Sequence, residues 1–254
     1  MTISRTARAV AAAAALTLTA LAMTSPAHAS AQRATDPFVG APTVGACSTM
    51  TPKQAAAQSD HSAAVDCTQA HTAVVAGVVK LPARLKWSTA TVNTLFAVVA
   101  EKCAPKVDAV LGRDTATRDT SAYEYFWFMP TKNQRANGAR WLSCSVVLVR
   151  GAAFANLPTS TTPFLPAGAL PDNVARCLTK GAILTTCKSR HVWRATGTFA
   201  VAGKYPGAKV LNKKATRKCQ SRVTSPAYRW TYRDKTTWNL HHDHVVVCYT
   251  KTAR

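Results

Sequence analysis

The sequence predicts an α+β fold of two tandem disulfide-stapled units, each a small antiparallel sheet with one packed helix. Three observations carry this. The chain has eight Cys, four before the Pro-rich stretch at 152–171 and four after it. A Cys-x-x-x-His element, VDCTQAH ending at His71 and TTCKSRH ending at His191, opens the same succession of segments in both halves. Each half has one run with a helical apolar period among short β-rich runs.

Residues 1–29 read as a secretory signal peptide. Arg5 and Arg8 supply the positive end, Val10 to Met23 the apolar stretch, and Ala27-His28-Ala29 a small-x-small cleavage site. The apolar run is too short to span a bilayer, which takes roughly 20 residues. The expectation is a secreted, extracellular protein associated with the cell wall. In that compartment an even set of Cys favours disulfides over zinc thiolates, and no C-x-x-C pair is present.

Residues 30–44 read as an N-terminal extension, 45–151 as the first unit, 152–171 as a linker or strap, and 172–252 as the second unit. After each His comes an extended apolar run, AVVAGVV at 73–79 and TGTFAVAG at 196–203. A helix follows. Val92, Leu95, Phe96, Val99, Cys103, Val107, Val110 and Leu111 form its stripe, with Ser88 or Thr89 as cap and Gly112 as stop. Pro105 is expected to kink it or split off its last turn. Leu211, Ala215, Cys219 and Val223 repeat the stripe in the second unit. The other segments read as strands. Each unit closes on an aromatic strand, YEYFWF with Trp127 or YRWTY with Trp230, and then on a strand holding its fourth Cys, Cys144 or Cys248.

Equal pairing in both units narrows the disulfides. Cys177 and Cys187 are ten apart, a spacing that suits adjacent strands, and the helix Cys can reach the last strand. The hypothesis is first to second and third to fourth: Cys47–Cys67, Cys103–Cys144, Cys177–Cys187 and Cys219–Cys248.

A Gly-x-Cys opening (Gly45-Ala46-Cys47), the VxC-x-x-x-His element, a Cys-bearing helix, a Trp and a closing V-x-C strand stand in this order. Together they resemble the septum-formation domain of actinobacterial envelope and secreted proteins, over residues 45–250 as two copies; KYPG and WNLHHDHVVVCY carry the likeness in the second. The resemblance implies an envelope setting, a role near the division septum and no catalysis. An acidic residue often stands three positions after the family's His; here Val74 and Arg194 stand there.

Charge locates the expected contact surface. Residues 30–160 hold 13 Lys+Arg against 8 Asp+Glu, and residues 161–254 hold 17 against 3, within a formal net charge of +21. Such a field attracts anions. Lys213, Lys214, Arg217 and Lys218 on the helix, with Arg229 and Arg233 on an open face of the aromatic strand, are the candidate polyanion-binding residues. The expected partner is an anionic cell-wall polymer or membrane surface, with an envelope protein as the alternative.

His71 and His191 read as structural, with each ring bonded to backbone in a turn. His241-His242-Asp243-His244 is the most metal-like string; read as a strand, it puts only His242 and His244 on one face, short of a third ligand, so no metal is assigned. No cofactor is expected. A small secreted hydrolase or nuclease using Glu124 with His61 or His71 is the different-class alternative. Arg229 standing in Glu124's place in the second copy argues against it, and the expectation is that the protein is not an enzyme.

Overall fold

Alternating apolar residues bring together two antiparallel sheets with one strand order. The computed structural model describes residues 36–112, 115–159, 163–241 and 244–252; the signal-peptide expectation lies outside them. The first half runs β1 (Cys47–Thr49), α1 (Pro52–Ala55), β2 (Ala63–Val65), β3 (Ala73–Lys80), α2 (Val92–Lys102), α3 (Ala104–Leu111), α4 (Thr115–Asp119), β4 (Tyr123–Phe128), α5 (Lys132–Ala136), β5 (Trp141–Arg150) and β6 (Ala153–Ala155). The second runs β7 (Arg176–Leu178), β8 (Leu184–Thr186), β9 (Trp193–Ala200), α6 (Ala208–Gln220), β10 (Tyr228–Tyr232), α7 (Lys235–His241) and β11 (Val245–Lys251).

The sheets are ordered β2-β1-β3-β5-β4, with β6 added beside β5, and β8-β7-β9-β11-β10. Strand for strand the order is the same. The first Cys of each half stands opposite the third residue after the His: Cys47 pairs with Val74 and Cys177 with Arg194. The last Cys stands opposite a Trp on one side and a Gly on the other, Cys144 between Trp127 and Gly77, Cys248 between Trp230 and Gly197. Both ladders slip by one residue beside that Gly, at Ala76 and at Thr196. The glycines are needed for clearance. A Cβ on Gly77 would run into the Lys106 side chain of α3, and one on Gly197 would stand 3.1 Å from the Cβ of Arg222.

Disulfides join Cys47–Cys67, Cys103–Cys144, Cys177–Cys187 and Cys219–Cys248, with Cα separations of 5.2, 6.1, 5.0 and 5.3 Å. In each half one bridge closes the edge hairpin and the other ties the helix to the sheet, inside a core of Val79, Leu95 and Leu142 in the first half and Phe199, Leu211 and Val246 in the second.

Several local expectations need correction. The first helix is two helices that meet at Cys103, so Pro105 begins α3 and separates two turns instead of one. Thr91, not Ser88 or Thr89, caps α2, in a reciprocal capping box with Thr94. The segments between the principal strands are not all strands, since α1, α4, α5 and α7 are short helices. Part of the Pro-rich stretch is structured: β6 pairs with β5, and Phe164 and Leu165 donate backbone bonds to Val110 and Leu111 at the end of α3. The stretch is a strap.

Replacing Cys219 and Cys248 together by Ala opens a bridge spanning 29 residues. Loss of that cross-link is expected to lower stability by roughly 3 kcal/mol. Urea denaturation of the double variant beside the parent checks it, and equal midpoints would contradict it.

Candidate functional site

The halves meet along a seam that uses the sheet face of the second half opposite α6. Leu178, Val247 and Tyr249 project there. Backbone bonds sew it: Ala122 N donates to Val174 O at 2.8 Å, Arg176 N to Thr120 O at 2.7 Å and Gly151 N to Leu184 O at 3.0 Å. Ser121 and Ala175 form an isolated antiparallel bridge across it.

Within the seam is a cavity of about 270 Å³, lined by the carboxylates of Glu124 and Asp119 beside Arg176 and Arg233. Glu124 Oε1 accepts from Arg176 Nη2 at 2.7 Å, and Oε2 from Arg233 Nη2 at 3.3 Å. Arg176 also donates from Nε to Ser121 O at 2.8 Å. Burial pushes the Glu124 carboxyl up, but the guanidiniums of Arg233 and Arg176 outweigh it and hold the group at about 2. A carboxylate held so low and bonded on both oxygens is ill suited to exchange protons near neutral pH. The proposed pairing with a histidine is not formed. His71 Nδ1 donates to Gln69 O at 2.8 Å, and His61 lines a different cavity.

The strand arginines are placed otherwise than expected. Arg233 pairs with Glu124, and the Arg229 guanidinium lies 5.6 Å from the centre of the Trp193 ring. Both side chains lean towards the seam and Trp193 and remain partly exposed. The Cys register also corrects the alignment of the halves. Because Trp127 and Trp230 both stand opposite the fourth Cys, Arg229 corresponds to Phe126, and Glu124 to Ala227.

Of the helix cations, Lys209, Lys213, Arg217 and Lys218 are exposed and Lys214 is half-buried. Leu211, Ala215 and Cys219 bury one stripe of α6, which turns Lys209, Lys213 and Arg217 outward on the opposite side. Lys214 and Lys218 flank the row, the Lys218 ammonium lying 5.2 Å from the centre of the Phe199 ring. The helix contains no Asp or Glu, and among the described residues none of these five cations pairs with a carboxylate. Lys209 is not among the residues the sequence singles out, because the KK and RK doublets carry the stronger local signal; its four-residue distance from Lys213 is the pattern that marks it. Beside the row, Asn212 Oδ1 accepts from Trp230 Nε1 at 3.0 Å and from the Tyr232 hydroxyl at 3.1 Å, while the Tyr228 hydroxyl donates to Thr216 O. These bonds lock α6 onto the edge strand β10.

His71 and His191 occupy equivalent turns, 2% and 3% exposed, and His191 Nδ1 donates to Ser189 O at 2.7 Å. The sulfurs of Cys177 and Cys187 and a ring nitrogen of His191 lie within 4.8 Å of one another, but the two sulfurs are bonded to each other and offer no thiolate. Neither described end of the His-rich string lies in a strand. His241 ends α7 and His244 precedes β11, while His242 and Asp243 lie outside the described residues. The His244 ring stacks on Trp238 at 5.1 Å and donates to the Trp238 carbonyl. Trp238, fully buried, is the side chain the sequence reading overlooked.

The pH dependence of stability tests the seam. Glu124 has a folded pKa near 2 against an ordinary value of about 4.3, so its stabilisation is full above about pH 4.3 and is lost as pH falls towards 2. Urea titrations from pH 7 to 2 are expected to show the parent losing on the order of 2 kcal/mol in that window that Glu124→Gln does not lose. At pH 7 the variant should already be weaker by roughly 2–4 kcal/mol, with two arginines left short of a counter-charge. Parallel pH profiles would refute the assignment.

Among the described residues no helix is long and apolar enough to cross a membrane. No curated protein and no solved structure matches the chain. Residues 25–129 match the family model described as septum formation, and the match falls on the segment that carries β1 to β4 and the first His turn, so this part of the chain is similar to a septum-formation domain.

Proposed function

We propose that the chain is a secreted, non-enzymatic protein of the cell envelope, acting in a setting tied to septum formation, whose second half holds an anionic cell-wall polymer or phospholipid surface on α6. The envelope setting is supported by the similarity to a septum-formation domain and by four disulfides, which persist in oxidising compartments. We further propose that the second half is a divergent copy of the first, on the ground of the shared strand order, Cys register and His turn.

The observation that carries the binding reading is the outward row of α6. Lys209, Lys213 and Arg217 recur at four-residue intervals, about 6 Å apart along the axis. A row of that pitch can meet successive charges of a polymer or neighbouring headgroups of a surface. Arg233 is paired with Glu124 and Arg229 lies over Trp193, which makes the cations of α6, unpaired with any carboxylate among the described residues, the main contact.

Co-sedimentation with cell-wall sacculi and with anionic liposomes, at low and high salt, tests this. Binding is expected to weaken steeply with salt, because contacts to an array of charges release counterions. The triple variant Lys209→Gln, Lys213→Gln, Arg217→Gln is expected to lose at least tenfold in affinity and to flatten the salt slope by roughly 2–3. Binding that ignores both salt and the triple variant would overturn the reading and favour a protein partner recognised elsewhere.

A further inference from the structure

A second cavity, of about 330 Å³, lies in the first half, on the sheet face opposite α2 and α3. Its floor is β3 and β5. Strand β5 is apolar over most of its length, yet it places Ser143 and Ser145 on this face between Trp141 and Val147, each 1% exposed. A sheet face meant only for packing would carry Val or Ile there, since a buried hydroxyl costs free energy unless it finds a partner. Ser143 lines the cavity. From the loop above it, the Ser62 hydroxyl is buried and makes no hydrogen bond among the described residues. Asp60, whose Oδ1 accepts from Ser62 N at 2.8 Å, the exposed His61, Thr131 and Gln134 add to the polar side, while Val75 and Met129 supply an apolar wall.

The charge of this cavity runs against the rest of the chain. With 32 Lys+Arg in the sequence, no Lys or Arg lines it among the described residues. An anion would find no counter-charge inside, and a cation would approach through the field of a strongly positive molecule. A purely apolar ligand would leave the Ser62 hydroxyl without a partner. A ligand with several hydroxyls and one apolar face meets every demand. Its hydroxyls can bond to Ser62, Ser143 and the Asp60 carboxylate, the last as a charge-assisted bond, while its C–H face lies on Val75 and Met129. We infer that this cavity binds a small neutral saccharide of one or two rings. The volume is at the small end of ligand pockets. The site shares no residue with the α6 row and stands apart from the polyanion reading.

Saturation-transfer NMR on the purified full chain tests it, with glucose, N-acetylglucosamine and their disaccharides as probes and glucuronic acid and glucosamine as charged counterparts. The neutral probes should receive transfer, and the charged ones clearly less. Ser143→Leu, which fills the floor, and Ser62→Ala should weaken binding at least tenfold and roughly threefold. Near-UV circular dichroism verifies folding; should Ser143→Leu fail to fold, His61→Trp at the exposed mouth blocks entry instead and carries the same tenfold expectation. The Lys209/Lys213/Arg217 variant should bind the sugars unchanged. Absence of transfer from every neutral saccharide at millimolar concentration would overturn the inference. So would equal transfer from glucosamine, or affinity untouched by the cavity variants.

Discussion

Glu124 has two guanidinium partners, and both belong to the other half of the chain. Arg176 comes from the first strand of the second sheet and Arg233 from the residue after its edge strand, so the carboxylate is satisfied only when both halves are folded and in register. Three charged groups cannot be brought out of water cheaply, and their mutual attraction does not by itself make the fold more stable than an apolar seam would. What it supplies is selectivity. A shift of one half against the other would leave buried charge unpaired, so the backbone bonds at Thr120, Ala122 and Gly151 and the apolar contacts of Leu178, Val247 and Tyr249 are fixed in one arrangement.

The strand order common to both halves shows what a sheet-and-helix unit of this type has to keep. The fourth Cys must stand beneath the helix, which requires a neighbour without a side chain at Gly77 or Gly197 and a local slip of the ladder. The His must close the turn before the long strand, bonded to the carbonyl two residues back. The residue opposite the first Cys is under no such demand. Val74 is buried among apolar side chains in one half; in the other, Arg194 forms an ion pair with Asp172.

These constraints explain how far the sequence could be read. Cys spacing, the His turns and the four-residue stripes are short-range patterns, so the sheet-plus-helix units and the outward cations of α6 were visible in them. The seam was not. Nothing local to Glu124 names Arg176 or Arg233 as partners, and Arg229 and Arg233 look solvated until the first half is placed over them. Thr91 does not stand out as the α2 cap in the sequence, because Ser88 and Thr89 offer the same chemistry close by; the capping box with Thr94 decides it. The buried serines of β5 leave no periodic mark, since Ser143 and Ser145 keep the alternation of a strand whatever their chemistry. The cavity gives Ser143 a meaning.

The seam also changes what counts as a part of this molecule. Each half has its own sheet, helix and disulfides, yet the second half alone would present a buried arginine without its carboxylate and a bare apolar sheet face, and the first half alone would present the carboxylate without either arginine. Neither can be discarded or exchanged without its complement. A unit joined this way has lost modularity: the strap at 152–171 is a place where the chain could be cut, but no longer a boundary across which it could be divided.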